Sequence, residues 1–568
     1  MAKIKQTYDE LSAERKALQA KGEVPDWYTT QGYSLFKENY AYKGETVKSR
    51  FQTIAHTLAQ YTNDPGLYKH IFFQLMWTGR LAPSTPVLAN IGTPRGFAVS
   101  CAGGYIGDSI SEFYQSYGEI AILSKLGFGT ASYLGDIRHR GAKINSTGAA
   151  ADGAVPVMDS CIDVTTKVSQ GGTRRGAWAG YIEFSSPDFN EFLGYTEKNR
   201  AVANLGINYR DSDIEALKRG EKWAVDRFSD HLMLRAKTGK GYFWKPDHAN
   251  RNAPQAIKQS GITIKNSQLC TEISLPCDKD HTFTCILSSM NLAMWDVISD
   301  RDIFNSLVFL DCVCSLFLEQ AKASGFKELE KAIRFTEKAR ALGLGTLGFH
   351  TYLQEKMIPF ESMEAHFLNG LIFSRLRRNA EEASAYLAKV HGEPEWCKGT
   401  GRRNATLITI APNMSSALLC GSVSQGVEPI ATNAFIQPTA GGEFVRYNPT
   451  LLKVMREKGM DAIPILKDLA KNHGGSVQHV DWLTDEEKAV FKTWNEIDQM
   501  AIIRLASARQ TNIDQAQSIN LLFSSEESEE YVAEVHKAFL LDDRLLSLYY
   551  MRSTRGSVAS KGCVACEG

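Results

Sequence analysis

Residues 266–292 read NSQLCTEISLPCDKDHTFTCILSSMNL and carry three cysteines, Cys270, Cys277 and Cys285. Thr263, Ile264 and Ile273 are β-branched, so residues 268–273 are expected to be extended. Side chains alternate along a strand, which would place Gln268, Cys270 and Glu272 on one face, a thiol between an amide and a carboxylate. Taken alone, Cys-x-Glu also fits a buried strand cysteine beside a surface glutamate. The rest of the chain has to separate the two.

The chain has 568 residues, 43% hydrophobic and 10% aromatic. That is enough apolar content to bury a large core, and it reads as one large catalytic domain with appendages. Lys plus Arg and Asp plus Glu both total 64, so no net field recruits nucleic acid or a membrane surface, and any nucleotide ligand would be small. Eleven cysteines in so long a chain are not the dense framework of a small secreted domain, and the start MAKIKQTYDE is no signal peptide. The expectation is a cytoplasmic protein with reduced thiols, in which any disulfide is transient and catalytic. The most apolar helical window, residues 304–321, contains Asp311 and Glu319 and reads as a core helix, not a bilayer span.

In chain order, residues 7–20 form a charged helical pattern ended by Gly22 and Pro25, and a second pattern covers residues 51–61. Ser84 and Thr85 stand between Pro83 and Pro86, an extended turn whose hydroxyls and main-chain donors suit a phosphate oxygen as well as an ordinary loop. From Gly107 a helix is followed by a glycine-punctuated loop that carries Arg138 and Arg140, which fit a phosphate site or a solvated basic loop. Long amphipathic helices are expected over residues 302–323 and 363–390, and their alternation with short apolar strands argues for an α/β fold. Residues 406–410 favour a strand, Pro412 stops it, and Ser415 and Ser416 can cap a helix from Ala417. Such a helix start serves ordinary capping or phosphate binding. Ser524 and Glu527 make a capping box for a helix continuing past Leu540. Tyr549 and Tyr550 then stand side by side, and a polar, small-residue tail ends with Cys563-x-x-Cys566, half of a zinc site or a redox dithiol. The thirteen residues from Tyr550 to Cys563 span at most about 45 Å extended and roughly 20 Å as a coil.

These segments, over residues 65–566, resemble the large (alpha, catalytic) subunits of class I ribonucleotide reductases. The family's active-site run is Asn-x-Cys-x-Glu, followed by a second cysteine ahead of an Asn-Leu pair. Here those positions are Cys270, Glu272, Cys285 and Asn291-Leu292, with Gln268 where asparagine is usual. The resemblance implies a ten-stranded α/β barrel, two parallel five-stranded halves packed antiparallel, with Cys270 on a loop inside it. It divides the chain into a helical N-terminal segment (1–65), the catalytic barrel (66–525), a C-terminal helix with the Tyr-Tyr pair (526–552) and a flexible redox tail (553–568). Core-like sequence begins near Leu67, so the ATP-binding regulatory domain that many relatives place at the N-terminus is expected to be absent.

The resemblance also implies reduction of ribonucleotides, taken to be diphosphates, to 2′-deoxyribonucleotides. Cys270 would act as a thiyl radical and Glu272 would accept the 3′-hydroxyl proton, with Gln268 orienting substrate. Cys101 and Cys285 would supply two electrons and form a transient disulfide, which Cys563 and Cys566 reduce before being recharged by thioredoxin or glutaredoxin. Ser84, Thr85, Asn413, Met414, Ser415 and Ser416 would hold substrate phosphate, with Gly171 and Gly172 nearby. Asp108, Ser109 and Arg138 would bind (deoxy)nucleoside triphosphate effectors, and Asn199 and Arg200 would lie between effector and substrate. Tyr549 and Tyr550 would bring the radical from a metal-containing small (beta) subunit, so this chain is expected to bind no metal or cofactor itself and to form a homodimer. An adenosylcobalamin-dependent reductase is the nearest rival, opposed by the Tyr549-Tyr550 pair. A glycyl-radical reductase lacks its Arg-Val-x-Gly-Tyr motif here. A nucleotide-binding regulator that kept the fold is opposed by intact Cys101, Cys270 and Cys285.

Overall fold

The structure is a computed structural model that describes residues 6–168, 176–439 and 442–553. Gly171, Gly172, Cys563 and Cys566 lie outside the described residues.

The chain begins with helices. Thr7 caps Tyr8–Ala20 through a capping box with Glu10, and Gly22 turns the chain with φ +65°, as the pattern over residues 7–20 leads one to expect. Val47–Ala59 and Pro65–Trp77 follow, the second started by Asp64 as N-cap and Pro65 in its first turn. Their apolar faces meet the long helix Asp300–Ser324, with Phe72 edge-on to Phe309 at 5.3 Å. That helix is buried over most of its length. Asp311 does not open it to water, because its carboxylate takes the Arg340 guanidinium at 2.9 Å. Among the described residues no helix is long and apolar enough to cross a membrane.

The sheet that positions the site comprises β1 (Leu81–Pro83), β2 (Cys101–Tyr105), β3 (Gly129–Tyr133), β4 (Trp178–Glu183), β5 (Leu205–Asn208), β6 (Tyr242–Trp244), β7 (Phe283–Asn291), β8 (Leu342–Leu347) and, much later, β12 (Ser547–Leu548). Strands β2 to β6 are parallel neighbours in chain order. Parallel pairing demands crossovers, and helices including Ile110–Lys125, Val155–Lys167 and Lys222–Thr238 supply them. All nine residues of β7 are buried, as expected of a strand covered on both faces. It runs antiparallel to β2 and to β1, and parallel to β8. The β2–β7 seam therefore joins two sets of strands of opposite direction. Beyond β8 the ladder continues as isolated parallel bridges, Leu344 to Ile408 and Ile410 to Gln517. The result is a mixed α/β fold around a curled sheet. A hairpin of β9 (Ala434–Thr439) and β10 (Gly442–Tyr447) and a small pair of β11 (Leu521–Phe523) with β13 (Met551–Ser553) complete the strands among the described residues.

Local expectations need correction at four places. Residues 268–273 form a turn, not a strand: Thr271 sits at φ +71°, and Gln268 folds its side-chain oxygen onto the Cys270 N–H. Thr85 begins the short helix Thr85–Asn90, so only Ser84 is extended between the prolines. Residues 406–410 bridge their neighbours without forming a strand, and the helix after them is Met414–Leu419, three residues earlier than Ala417. Asn413 stands at its N-cap but turns its amide to the Thr346 carbonyl at 3.0 Å instead of capping. The C-terminal helix is Glu529–Leu541, capped by Ser528 and not Ser524. Glu529 and Glu530 then lie in its first turn, where negative charge meets the positive end of the helix dipole.

Candidate active site

One cavity gathers residues that the sequence scatters over more than three hundred positions. Cys101, Cys270, Glu272, Ser84, Thr85, Asn413, Met414, Ser415 and Ser416 all line it, with Ser288, Ser289 and Thr409 between them. Gly343 and Gly345 of β8 form one wall because nothing larger fits. A Cβ on Gly343 would lie 2.4 Å from Thr409 Cγ2, and one on Gly345 would lie 2.7 Å from the Thr409 carbonyl oxygen.

The Cys270 loop is pinned from both sides. The Tyr181 hydroxyl donates to the Gln268 carbonyl at 2.6 Å, and the Ala516 N–H donates to the Glu272 carbonyl at 2.9 Å. The Ser518 hydroxyl reaches both the Cys270 carbonyl and, at 2.8 Å, Glu272 Oε2. With one hydrogen to give, it serves these acceptors alternately. Such support explains how a threonine holds a left-handed backbone that costs about 1–2 kcal/mol. Gln268 does not line the cavity, and its Nε2 has no hydrogen-bond partner among the described residues.

At the other end of the cavity the first turn of Met414–Leu419 meets the turn at Ser84. Ser416 ties the two together by donating to the Pro83 carbonyl at 3.4 Å. The Ser84 hydroxyl is buried without a partner among the described residues. An unsatisfied hydroxyl on a cavity wall can donate a hydrogen bond to an oxygen ligand or accept one from it.

Cys101 and Cys285 are direct partners across the β2–β7 seam. Opposed residues in an antiparallel pair have Cα atoms about 4.5–5.5 Å apart, inside the roughly 4.4–6.8 Å range that a disulfide spans. Both are buried thiols, not joined in a disulfide. Burial pushes the Cys285 thiol well above its ordinary range, while a hydrogen bond from Gln515 Nε2 at 3.2 Å opposes the shift.

Tyr549 donates its hydroxyl to Cys270 Sγ at 3.4 Å. Its ring lies 4.2 Å from that of Tyr550, and Tyr242 touches both, at 4.7 and 5.4 Å. Tyr549 is buried and Tyr550 half-buried, so the pair leads from the surface to the thiol.

Asp108 and Arg138 meet away from the cavity in an ion pair of 2.7 Å, beside Ser109, which caps Ile110–Lys125. Arg140, the other arginine of that loop, is tied to Glu191 at 2.6 Å. Asn199 ends the helix Phe189–Lys198 and bonds the Tyr195 carbonyl at 3.0 Å, while Arg200 is exposed; neither lines the cavity. Sequence reasoning missed Thr409, Gln515 and Ser518. The signal was present in the run IDQAQSIN at 513–520, where polar side chains are interspersed with single apolar residues.

Comparison with known proteins identifies the family. A family model described as "Ribonucleotide reductase, barrel domain" matches residues 99–233, 224–400 and 395–540, and one described as "Ribonucleotide reductase, all-alpha domain" matches residues 26–96. A ribonucleoside-diphosphate reductase large subunit of Invertebrate iridescent virus 3 is 30% identical over 94% of this chain and 98% of its own. A vitamin B12-dependent ribonucleoside-diphosphate reductase of Thermoplasma acidophilum is 27% identical over 86% of this chain and 66% of its own. The solved structure of the Actinobacillus ureae class Id ribonucleotide reductase alpha subunit superposes with a TM-score of 0.85 at 36% identity, covering 93% of this chain and 97% of that one. The chain belongs to the ribonucleotide reductase family. Within it, this is a class I-like ribonucleoside-diphosphate reductase large subunit, an oxidoreductase of deoxyribonucleotide synthesis.

Proposed function

We propose that the cavity reduces ribonucleoside diphosphates through a thiyl radical on Cys270. The observation that carries this reading is the meeting of Cys270, Glu272 and Cys101 in one cavity, with the Tyr549 hydroxyl on the Cys270 sulfur. Substrate phosphate would sit at Ser84, Thr85 and residues 413–416, which directs the ribose toward Cys270. The Cys270 thiyl then takes the 3′ hydrogen atom and Glu272 takes the 3′-hydroxyl proton while the 2′-hydroxyl leaves as water. Cys101 and Cys285 give two electrons and two protons, one proton leaving with the 2′-hydroxyl as water and one ending on C2′, and become a disulfide; Glu272 returns its proton to the 3′ oxygen and Cys270 returns a hydrogen atom to C3′. Gln268 acts by shaping the Cys270 loop.

A metal-containing small subunit supplies the oxidising equivalent when docked, and Tyr550 and Tyr549 pass it to Cys270. Cys563 and Cys566 renew the disulfide by thiol exchange and are recharged by thioredoxin or glutaredoxin. Gly171 and Gly172 border the substrate. Nucleoside triphosphate effectors bind at Asp108, Ser109 and Arg138, Asn199 and Arg200 relay their identity, and the chain works as a cytoplasmic homodimer. The strand bridges beyond β8 support closure into a ten-stranded barrel.

The test is ribonucleotide reduction assayed with a candidate small subunit and, separately, with adenosylcobalamin. Activity with the small subunit alone is expected, and Cys270→Ser should bind nucleotide yet form no deoxynucleotide. Turnover that depends on the cobalamin, or product from Cys270→Ser, would overturn the reading.

A further inference from the structure

We propose that Gln515 makes the Cys101–Cys285 disulfide directional: an incoming thiolate attacks the Cys101 sulfur, and Cys285 leaves as a thiolate held by the Gln515 amide. This inference rests on the redox role given above to Cys101 and Cys285, and it adds a positioning residue that sets which sulfur is attacked.

The orientation of the Gln515 amide follows from its neighbours. Its Oε1 accepts the Ser274 N–H at 3.2 Å, and a main-chain N–H can only donate. The Nε2 group must therefore face the other way, toward Cys285 Sγ at 3.2 Å, the Leu342 carbonyl at 3.1 Å and Thr406 Oγ1 at 3.0 Å. A flipped amide would set Oε1 against the Leu342 carbonyl. Two N–H groups thus face three acceptors. The Leu342 carbonyl also takes the Thr406 hydroxyl at 3.0 Å, so an amide hydrogen can be committed to sulfur without leaving that oxygen bare.

Gln515 supplies the one hydrogen bond to Cys285 Sγ among the described residues. Glu272, Asp514 and Cys314 act on Cys285 in the other direction, each raising its thiol. Burial and these groups all disfavour a Cys285 thiolate, and the Gln515 amide opposes them. Access separates the two sulfurs as well: Cys101 lines the cavity and Cys285 does not.

The thiolate of a dithiol reductant bonds to the Cys101 sulfur, the Cys101–Cys285 bond breaks, and its electron pair leaves on Cys285. Cys285 takes up the proton released by the reductant. The second thiol of the reductant then attacks the first, freeing Cys101, so the reductant ends as a disulfide and both protein thiols are reduced. A leaving thiol with a lower pKa departs faster, which is where a hydrogen bond to the departing sulfur acts.

The test uses the full chain with Cys563→Ser and Cys566→Ser, so that only added thiols act. Diamide closes the disulfide, glutathione opens it, and mass mapping of the trapped mixed disulfide identifies the attacked sulfur. Glutathione is expected on Cys101. Gln515→Met, similar in shape and without donors, should lower the dithiothreitol re-reduction rate about tenfold and spread the adduct over both cysteines. A merely structural role would slow exchange without changing that partition. Glutathione on Cys285 in the protein with Gln515 intact would overturn the proposal whether or not the variant folds, as would an unchanged rate and partition in Gln515→Met. A separate control, mapping the wild-type enzyme after one turnover without reductant, addresses the underlying role: if Cys101 and Cys285 stay reduced, that reading fails first.

Discussion

The Tyr549 hydroxyl lies 3.4 Å from the Cys270 sulfur, although 279 residues separate them in the chain. The main chain around Tyr549 holds this contact. Its N–H donates to the Ile519 carbonyl at 2.8 Å, and the buried Arg235 guanidinium donates to its carbonyl at 2.9 Å. The ring is left to meet the thiol on one side and Tyr550 on the other.

Tyr549→Phe should therefore keep the fold and lose the reaction. Phenylalanine retains the ring contacts and removes one hydroxyl hydrogen bond to sulfur, a stability change below about 1.5 kcal/mol. It cannot be oxidised at accessible potentials, so deoxynucleotide formation should fall below detection with the small subunit present. Denaturation midpoints and product assays on the same preparation check both halves.

Cys563→Ser combined with Cys566→Ser should allow roughly one product per competent active site and then stall, because Cys101 and Cys285 start reduced. Thioredoxin should not restore cycling, since it is too large to enter the cavity, whereas a small dithiol should restore it in part. A zinc-binding tail predicts the opposite, bound zinc lost in the variant and sustained turnover with thioredoxin. Single-turnover yield, multiple-turnover rate and zinc content decide between the two.

Asp311→Asn should cost about 3–5 kcal/mol, because it leaves the Arg340 and Arg403 guanidinium groups, at 2.9 and 3.2 Å, without their buried counter-charge. Burial raises the Asp311 carboxyl, but the two guanidinium groups outweigh it and hold it below the ordinary carboxylate range. Arg403 is itself lowered by burial and by Arg340, so the Arg340 pair carries the larger share. For a depressed acid the stabilisation is present above the ordinary carboxylate value and disappears as pH falls through the lowered one. Urea midpoints should show the wild type ahead of the variant at neutral pH and the gap closing only below about pH 4.

Glu428→Gln should have the opposite pH signature. Burial pushes the Glu428 carboxyl up to about 7, against the opposing pull of Arg552 and of the Asn520 amide that donates to it. For a raised acid the stabilisation is full at pH below the unfolded value and is lost as pH rises through the folded one. Wild-type stability should thus decline between about pH 4.5 and 7 by up to a few kcal/mol. The glutamine variant keeps an acceptor for Asn520 and carries no charge, so this slope should vanish from its melting temperature measured across that range.

The amino-acid sequence by itself determined which residues could do chemistry and where the long helices lie. The three cysteines with Glu272, the two turns rich in hydroxyls and the Tyr-Tyr pair are local facts. So are the helices near residues 7–20, 302–323 and 363–390, whose caps and 3.6-residue periodicity act within a few turns. The tertiary structure alone decided the Cys270 turn, the β2–β7 register that sets Cys101 opposite Cys285, and the contacts of Tyr549 and Gln515 with the two sulfurs. The β-branched residues near Thr271 favour an extended chain. The turn prevails because hydrogen bonds from Tyr181, Ala516 and Ser518, groups 87 or more positions away from their acceptors, hold Thr271 at φ +71°. Local preferences amount to a fraction of a kcal/mol per residue, and several buried hydrogen bonds made across the fold exceed them.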